Sequence, residues 1–209
     1  MSSFVGIAET IRKKGLFCSL YTDRGSHYWR AAEAGGKVDK DNPTQVGRAL
    51  GRIGIDPIPA YSPQARGRSE RMFGTLQGRL PQELRSRGIT SMREANRFLR
   101  ETYIAAHNAR FIKQPEEQGS AFVPFAGDPR DILCIQEDRV VGNDNTVRYK
   151  GVVLQIGADQ HRHHFVKAKV RVHEYPEGDL AVFHGPRCIG RYQADGTTNK
   201  QDGDERRAA

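Results

Sequence analysis

The sequence is poor in cysteine, which limits the kinds of site it can build. Its three cysteines, Cys18, Cys134 and Cys188, are far apart along the chain and odd in number. A disulfide framework and a zinc knuckle both need closely spaced or paired cysteines, so neither is expected. Free cysteines fit a reducing compartment, and we therefore expect a cytoplasmic protein.

The sequence also lacks any long apolar run. No stretch approaches the ~20 residues that a membrane-spanning helix needs. The first 15 residues carry Glu9 and then Arg12-Lys13-Lys14. A signal peptide has the opposite order, with a basic start, an apolar centre and a small-residue cleavage site. We expect neither a membrane anchor nor a membrane partner.

Positive charge is in excess. Lys and Arg number 33 against 25 Asp and Glu among the 209 residues, a formal net charge of +8. Such an excess favours a polyanionic partner such as nucleic acid, because each neutralised phosphate releases a condensed counterion. A basic protein without a nucleic-acid partner has the same composition, so charge alone does not separate the two interpretations.

Apolar periodicity and turn residues predict an α/β first half. A helix ends at Gly15, and a long helix over 68–87 carries a buried stripe of Phe73, Leu76, Leu80 and Leu84. Pro81 inside that helix predicts a kink or a break. Two strands are predicted, a buried parallel strand over 16–21 and an edge strand over 55–60, which a loop over 61–67 follows. A helix is predicted over 42–53, with Asn42 as its cap and Pro43 in first position. A last helix, to 109, begins at the capping box of Ser91 and Glu94.

The second half has a different pattern. Residues 113–130 are predicted to be a linker, and the short alternating strands of 131–193 predict a small all-β, SH3-like barrel. The strands are expected at 132–141, 146–149, 152–156, 167–175, 180–184 and 187–192. The polar segment 194–209 has no apolar periodicity and is predicted to be a disordered tail.

Two acidic residues occupy positions typical of a metal site. Asp23 ends the strand over 16–21, and Glu70 lies in the first turn of the helix predicted to begin near Arg68. Sites in open α/β sheets form at the carboxyl ends of strands, and paired carboxylates suit Mg²⁺ or Mn²⁺. The alternative is a turn residue and a first-turn helix acid, and spacing alone favours that alternative.

The residues around these acids carry a specific resemblance. Thr22-Asp23-Arg24-Gly25-Ser26 and, after it, Ser62-Pro63-Gln64-Ala65-Arg66-Gly67-Arg68-Ser69-Glu70 are linked motifs with 46 residues between the acids. Together they resemble the DDE integrase/transposase superfamily, in the branch of the bacterial insertion-sequence transposases. Residues 76–80, 143–146 and 149–151 are similar to that branch as well.

The resemblance implies a fold and a chemistry. It implies that residues 1–112 are part of a ribonuclease H-like catalytic core, with the β-domain behind it. It implies that Asp23 and Glu70 are catalytic Mg²⁺ or Mn²⁺ ligands in DNA cutting and joining. The implied partners are DNA, as transposon ends and target, and a full-length transposase or further copies of the chain.

The same resemblance places DNA contacts around the second motif. The residues expected to bind DNA are Ser62, Gln64, Arg66, Arg68 and Arg71. Gln64 and Arg66 suit phosphates or base edges, and Gly67 is expected to let the loop turn tightly. For Arg68 and Arg71, a solvated helix face is an equally good interpretation.

Two departures from the family pattern lead to further expectations. Gly74 and Gln77 stand where basic DNA contacts are common in the family. No Asp occurs among the 22 residues before Asp23, although the family's first catalytic Asp lies on an earlier strand. We therefore expect an N-terminally truncated core without strand-transfer activity of its own.

Two alternatives to a transposase fragment remain open. One is a decayed gene product without a stable fold. The other is a non-catalytic DNA-binding or regulatory module that uses the basic residues of the β-domain, namely Arg139, Arg148, Lys150, Lys167, Lys169 and Arg171.

Overall fold

A computed structural model describes residues 1–33, 36–113, 119–158 and 162–199. It is a mixed α/β structure that divides into two compact units, one made of 1–59 with 122–209 and the other of 60–121. The helices are α1 (Ser2–Lys14), α2 (Gln45–Ile53), α3 (Pro63–Ser86), α4 (Met92–Phe98) and α5 (Ile104–Phe111). The strands are β1 (Ser19–Thr22), β2 (Arg30–Ala31), β3 (Val38–Asp39), β4 (Asp56–Pro59), β5 (Ile135–Val140), β6 (Thr146–Tyr149), β7 (Val152–Gln155), β8 (Lys169–Glu174), β9 (Leu180–His184) and β10 (Arg187–Tyr192).

A parallel strand pair and two helices form the first part of the larger unit. β1 and β4 are parallel in the register Ser19 with Asp56 through Thr22 with Pro59. Such a pair needs a crossover connection, and α2 supplies its helix. The apolar faces of α1 and α2 share a core with Ile55 and Leu133. The predicted parallel pairing and the helix of this region are confirmed, although β1 begins at Ser19 rather than at residue 16. The predicted burial of this strand is wrong, since Ser19 and Tyr21 are exposed and only Thr22 is buried.

The N-cap of α2 differs from the prediction. Thr44, not Asn42, caps the helix, and its Oγ1 accepts a hydrogen bond of 3.2 Å from the backbone N–H of Gly47. Asn42 instead belongs to a turn in which Asp39 accepts from its backbone and side chain. Pro43 therefore lies outside the helix. Both Asn and Thr are good caps, so residue type alone did not decide between the two positions.

Polar side chains of α2 attach the helix to the edge of the β-region. The Gln45 side-chain amide donates to the carbonyl of Gln136 at 2.7 Å and accepts from its backbone N–H at 3.0 Å. Arg48 donates to the carbonyls of Ile132 and Cys134 at 3.2 and 2.6 Å. Because β5 is an edge strand, these bonds satisfy backbone groups that would otherwise lack partners.

The β-region consists of a four-stranded antiparallel sheet and a separate hairpin. The sheet order is β10-β9-β8-β5, and β6 pairs with β7. One buried core joins them, with Val147 and Leu154 from the hairpin and Val172 and Val182 from the sheet. The predicted all-β region is confirmed by these strands. Within the described residues the ladders do not close into a barrel, so the SH3-like barrel stays a prediction.

Two turns of the hairpin require left-handed backbone. Asn145, before β6, has a φ of 57°, and Lys150 and Gly151 between β6 and β7 have φ values of 46° and 84°. Two successive positive φ angles are typical of the tight turns whose twist matches that of paired strands. The segments 143–146 and 149–151, which carry part of the family resemblance, are thus turns that shape the hairpin.

The smaller unit is helical. α3 begins at Pro63, so residues 63–67 are helix rather than the predicted loop, and Gly67 has no positive φ. The helix continues through Pro81, and the predicted break is absent. Ser91 caps α4 as predicted, and a π-helical segment, Leu99–Tyr103, joins α4 to α5.

The predicted buried stripe of α3 is wrong. Phe73 is 49% exposed, and Leu76, Leu80 and Leu84 are only partly buried. Among the described residues of 60–121, only Ala60 and Tyr103 are buried. The spacing of apolar residues identifies the helix face that would be buried, but burial also requires a surface opposite to it.

The predicted domain boundaries at residues 112, 130 and 193 stay a prediction. Hydrogen bonds from Gln45 and Arg48 of α2 join residues 1–59 to the β-region. Residues 194–199, the start of the predicted disordered tail, form a turn in which Gln193 N–H donates to Thr197 at 2.8 Å. Residues 200–209 lie outside the described part. Over the described chain, no helix has the length and apolarity to cross a bilayer.

Candidate functional site

Asp23 lies in a turn directly after β1, at the carboxyl end of the parallel pair. Its Oδ1 accepts a hydrogen bond of 3.1 Å from the backbone N–H of Gly25, and the residue is half-buried. A Cβ at position 25 would lie 2.9 Å from that oxygen and 3.1 Å from the His27 ring. Glycine at position 25 therefore keeps space around the carboxylate, which gives a physical reason for glycine in this motif.

The turn that carries Asp23 is anchored by a buried polar contact. Trp29 Nε1 donates to Thr22 Oγ1 at 2.7 Å, and both side chains are 7% exposed. The backbone N–H groups of Tyr28 and Trp29 donate to the carbonyl of Gly25 at 2.9 and 3.0 Å. Thr22, the motif residue before Asp23, thus accepts a buried hydrogen bond that fixes the turn.

Sequence reasoning missed this role of Thr22 and Trp29. The available signal was a single tryptophan six residues after a Thr-Asp step. Buried tryptophans usually find a partner for the indole N–H, and a strand-end threonine is a suitable acceptor.

Glu70 lies in the second turn of α3 and is exposed. Because α3 begins at Pro63, this residue is farther into the helix than its predicted first-turn position. Its carboxylate is therefore less favoured by the helix dipole, whose effect falls off within the first turn. Arg66 precedes it by four residues, so the acid and the base share one side of the helix.

The residues predicted to contact DNA lie on α3 or directly before it. Ser62 and Gln64 are exposed, and Arg66 is half-buried. Arg71 is exposed, and its Nε donates to the carbonyl of Gly67 at 3.0 Å. The side chain of Arg68 lies outside the described part. The structure places Gln64 and Arg66 on the helix rather than in the predicted loop, and Ser62 directly before the helix.

The structure places the two acids in different compact units, Asp23 in the first and Glu70 in the second. Their oxygens are hard donors of the kind that Mg²⁺ and Mn²⁺ prefer, so the donor chemistry fits such an ion. No group of three or more His, Cys, Asp or Glu with the spacing of a metal site occurs among the described residues. The residues therefore fit the metal in kind and supply fewer ligands than a complete site.

The sequence is similar to those of bacterial transposases. It is 33% identical over 182 residues to y4bF of Sinorhizobium fredii (strain NBRC 101917 / NGR234), which is named as a candidate transposase. It is 31% identical over 144 residues to a transposase for insertion sequence IS1202 from Streptococcus pneumoniae. These matches cover 86% and 69% of this chain, but only 39% and 31% of those relatives. No family model matches the chain.

Proposed function

We propose that this chain, a relative of bacterial insertion-sequence transposases, supplies part of a DDE-type centre for DNA cutting and joining. The sequence relation over 86% of the chain carries the proposal. It is supported by Asp23, which follows a parallel strand in a turn shaped by Gly25 and Trp29. An ordinary surface acid would not need a buried anchor beneath its turn.

In this proposal the parallel pair β1 and β4, with α2 and α3, is part of a ribonuclease H-like core. The order of strand, helix, parallel strand and long helix is the support for this assignment. The β-region is a distant form of an SH3-like domain, supported by six short antiparallel strands in two packed ladders.

Asp23 and Glu70 would hold Mg²⁺ or Mn²⁺. When bound, such an ion supplies charge stabilisation for an in-line phosphoryl displacement. The chain's own residues would orient the DNA. Gln64 and Arg71 lie two turns apart on one side of α3, and both have polar heads suited to phosphate oxygens. Ser62 precedes this helix and adds a hydroxyl donor.

Two carboxylates leave a dinuclear site short of ligands. We propose that this chain has no strand-transfer activity by itself, and that the missing ligand comes from a further segment or from another transposase chain. The span of only 39% and 31% of its relatives' lengths supports this view. In such an assembly the ligand set would be completed by association, with DNA ends and target as substrates.

A second candidate function is a DNA-binding or regulatory module without chemistry. The exposure of Glu70 and the small number of ligand residues favour it. Part of its proposed basic surface is neutralised within the chain, since Arg139 pairs with Glu137 and Lys150 with Glu174. The two candidates differ in one measurable property, which is the response to a divalent ion.

The test is thermal unfolding of the chain with EDTA, Mg²⁺ or Mn²⁺. An ion that binds only the folded state raises the free energy of unfolding by about 2.7 kcal/mol when the ion concentration is a hundred times the Kd. We expect wild type to gain stability and Asp23→Asn and Glu70→Gln to lose that gain. Asn retains an oxygen that accepts from Gly25, so the turn is kept.

Matched controls are Asp56→Asn and Glu101→Gln, which remove an exposed carboxylate from each unit. They should respond to the metal as wild type does. A wild type without any response, or four variants that all respond equally, would reject the metal role. The module without chemistry would then be the better description.

A further inference from the structure

A cleft in the larger unit lies between α2 and the four-stranded sheet. Its volume is about 620 Å³. Three arginines line it, Arg48 and Arg52 from α2 and Arg171 from β8. The acids Asp131 and Asp138 and the ring of His173 line it as well. The sequence offered no sign of this cleft, because its walls come from segments more than 70 residues apart.

Both acids of the cleft are already neutralised. Asp138 accepts from Arg171 Nε at 3.0 Å, and Asp131 lies 3.7 Å from Arg191. Asp131 also accepts a hydrogen bond from the Tyr175 hydroxyl. The negative charges in the wall therefore do not compensate the arginines of α2.

Arg48 and Arg52 keep an uncompensated positive charge. Arg48 donates to Gln45 and to the carbonyls of Ile132 and Cys134, which are neutral acceptors. Arg52 is exposed, with no hydrogen bond or ion pair to the described part of the chain. Burial and the charges of Arg171 and Arg52 lower the pKa of Arg48. Two like charges four residues apart on a helix repel each other, unless an anion lies between them.

The wall contains one further unsatisfied group. His173 is 5% exposed and stacks on Phe183 at 4.1 Å between ring centroids. Its Nδ1 is buried and has no hydrogen-bond partner in the described residues. Burial lowers the pKa of His173 to about 4, with Asp131 raising it and Arg48, Arg171 and Arg191 lowering it. The ring is thus neutral near pH 7, so it adds no charge to the cleft and balances none.

We propose that this arginine cleft, which neither Asp23 nor Glu70 lines, binds the phosphate backbone of DNA. The exposed guanidinium group of Arg52 can reach a polymer that runs along the surface, and arginine suits phosphate oxygens. The choice of DNA as the polyanion rests on the proposed function. The position of the site rests on the cleft alone.

Fluorescence anisotropy of the full chain on a labelled duplex tests the site. The duplex has about 30 base pairs of arbitrary sequence, long enough for backbone contacts. EDTA is present throughout, so the result does not depend on metal binding by Asp23 and Glu70. Arg52→Glu is the main variant, because Arg52 makes no contact that folding needs. Lys14→Glu and Arg93→Glu are controls with the same change of charge at exposed positions outside the cleft.

We expect Arg52→Glu to weaken DNA binding roughly tenfold. The slope of log Kd against the logarithm of the salt concentration should fall by about one. Arg52→Lys should largely restore binding, and each control should change Kd far less. If Arg52→Glu and the controls lose the same amount of DNA affinity while wild type still binds, the cleft is not the DNA-binding site, although the chain binds DNA.

Two other outcomes would also overturn the proposal. If wild type does not bind the duplex at all, DNA binding fails for the cleft and for the proposed function together. If dATP or inorganic pyrophosphate displaces the duplex from wild type but not from Arg52→Lys, the cleft is a small-molecule site.

Discussion

The turn after β1 shows how few side chains determine the position of Asp23. Gly25 donates its N–H to the carboxylate, and its missing Cβ leaves room for the oxygen. Trp29 and Thr22 form the buried hydrogen bond beneath that turn. An acid at the end of a strand is common, whereas an acid with this support is held in one orientation.

Thr22→Val tests that support. Valine keeps the shape of threonine but leaves the indole N–H of Trp29 buried without an acceptor. An unpaired buried donor costs about 1–3 kcal/mol, so we expect the free energy of unfolding in urea to fall by that amount.

Thr22→Ser is the control for this substitution, because it keeps the hydroxyl acceptor and removes only a methyl group. If the serine variant is destabilised as much as the valine variant, packing of the methyl group matters and the hydrogen bond to Trp29 does not.

At the scale of elements, the turn before β6 organises the hairpin. Asn145 donates from its Nδ2 to the carbonyl of Ile156 at 2.8 Å and accepts at Oδ1 from the N–H of Phe165 at 2.7 Å. Its positive φ is tolerated better by asparagine than by most residues. One side chain thereby joins the start of β6, the end of β7 and the segment before β8.

Asn145→Ala should destabilise the chain by about 2–3 kcal/mol, since it removes two hydrogen bonds and adds strain at a positive φ. Asn143→Ala is the matched control, because Asn143 is exposed in the same turn and makes no hydrogen bond with the described residues. Chemical denaturation followed by circular dichroism measures both. Equal stability of the two variants would contradict the organising role of Asn145.

Elements were predictable where local chemistry decides them. β6, β9 and β10 have the predicted bounds, and Gly15 ends α1 with a φ of 102°. The start of α3 was not predictable, because the glycine and the polar residues of 63–67 are as common in turns as in the first turns of a helix. Pro63 in first position was the signal for the earlier start.

The candidate site was predictable only in part, for a related reason. A motif names residues such as Asp23 and Glu70, and it does not show which contacts hold them. The bond from Trp29 to Thr22 and the cleft around Arg48 and Arg52 depend on tertiary packing. Arg48 in particular gave no signal in the sequence, since an arginine on an amphipathic helix is usually a solvated residue.

At the scale of the whole molecule, the two units differ in how much apolar surface they bury. The larger unit has two main cores, one around Leu50 and one around Leu154. The smaller unit leaves Met72, Phe73 and Ile112 exposed by 47%, 49% and 68%. Burial of apolar surface is the main stabilising term in folding, so most of the chain's stability resides in the larger unit.

The central claim, that Asp23 and Glu70 serve one divalent ion, is tested most directly by calorimetric titration with Mn²⁺. The proteins are wild type, Asp23→Asn, Glu70→Gln and the double variant. Ligands of one ion are energetically coupled, so their effects are not additive. We predict weak binding by wild type, a loss of at least about tenfold in each single variant, and little further loss in the double variant. Wild-type affinity in both single variants, or no binding by wild type, would contradict the account.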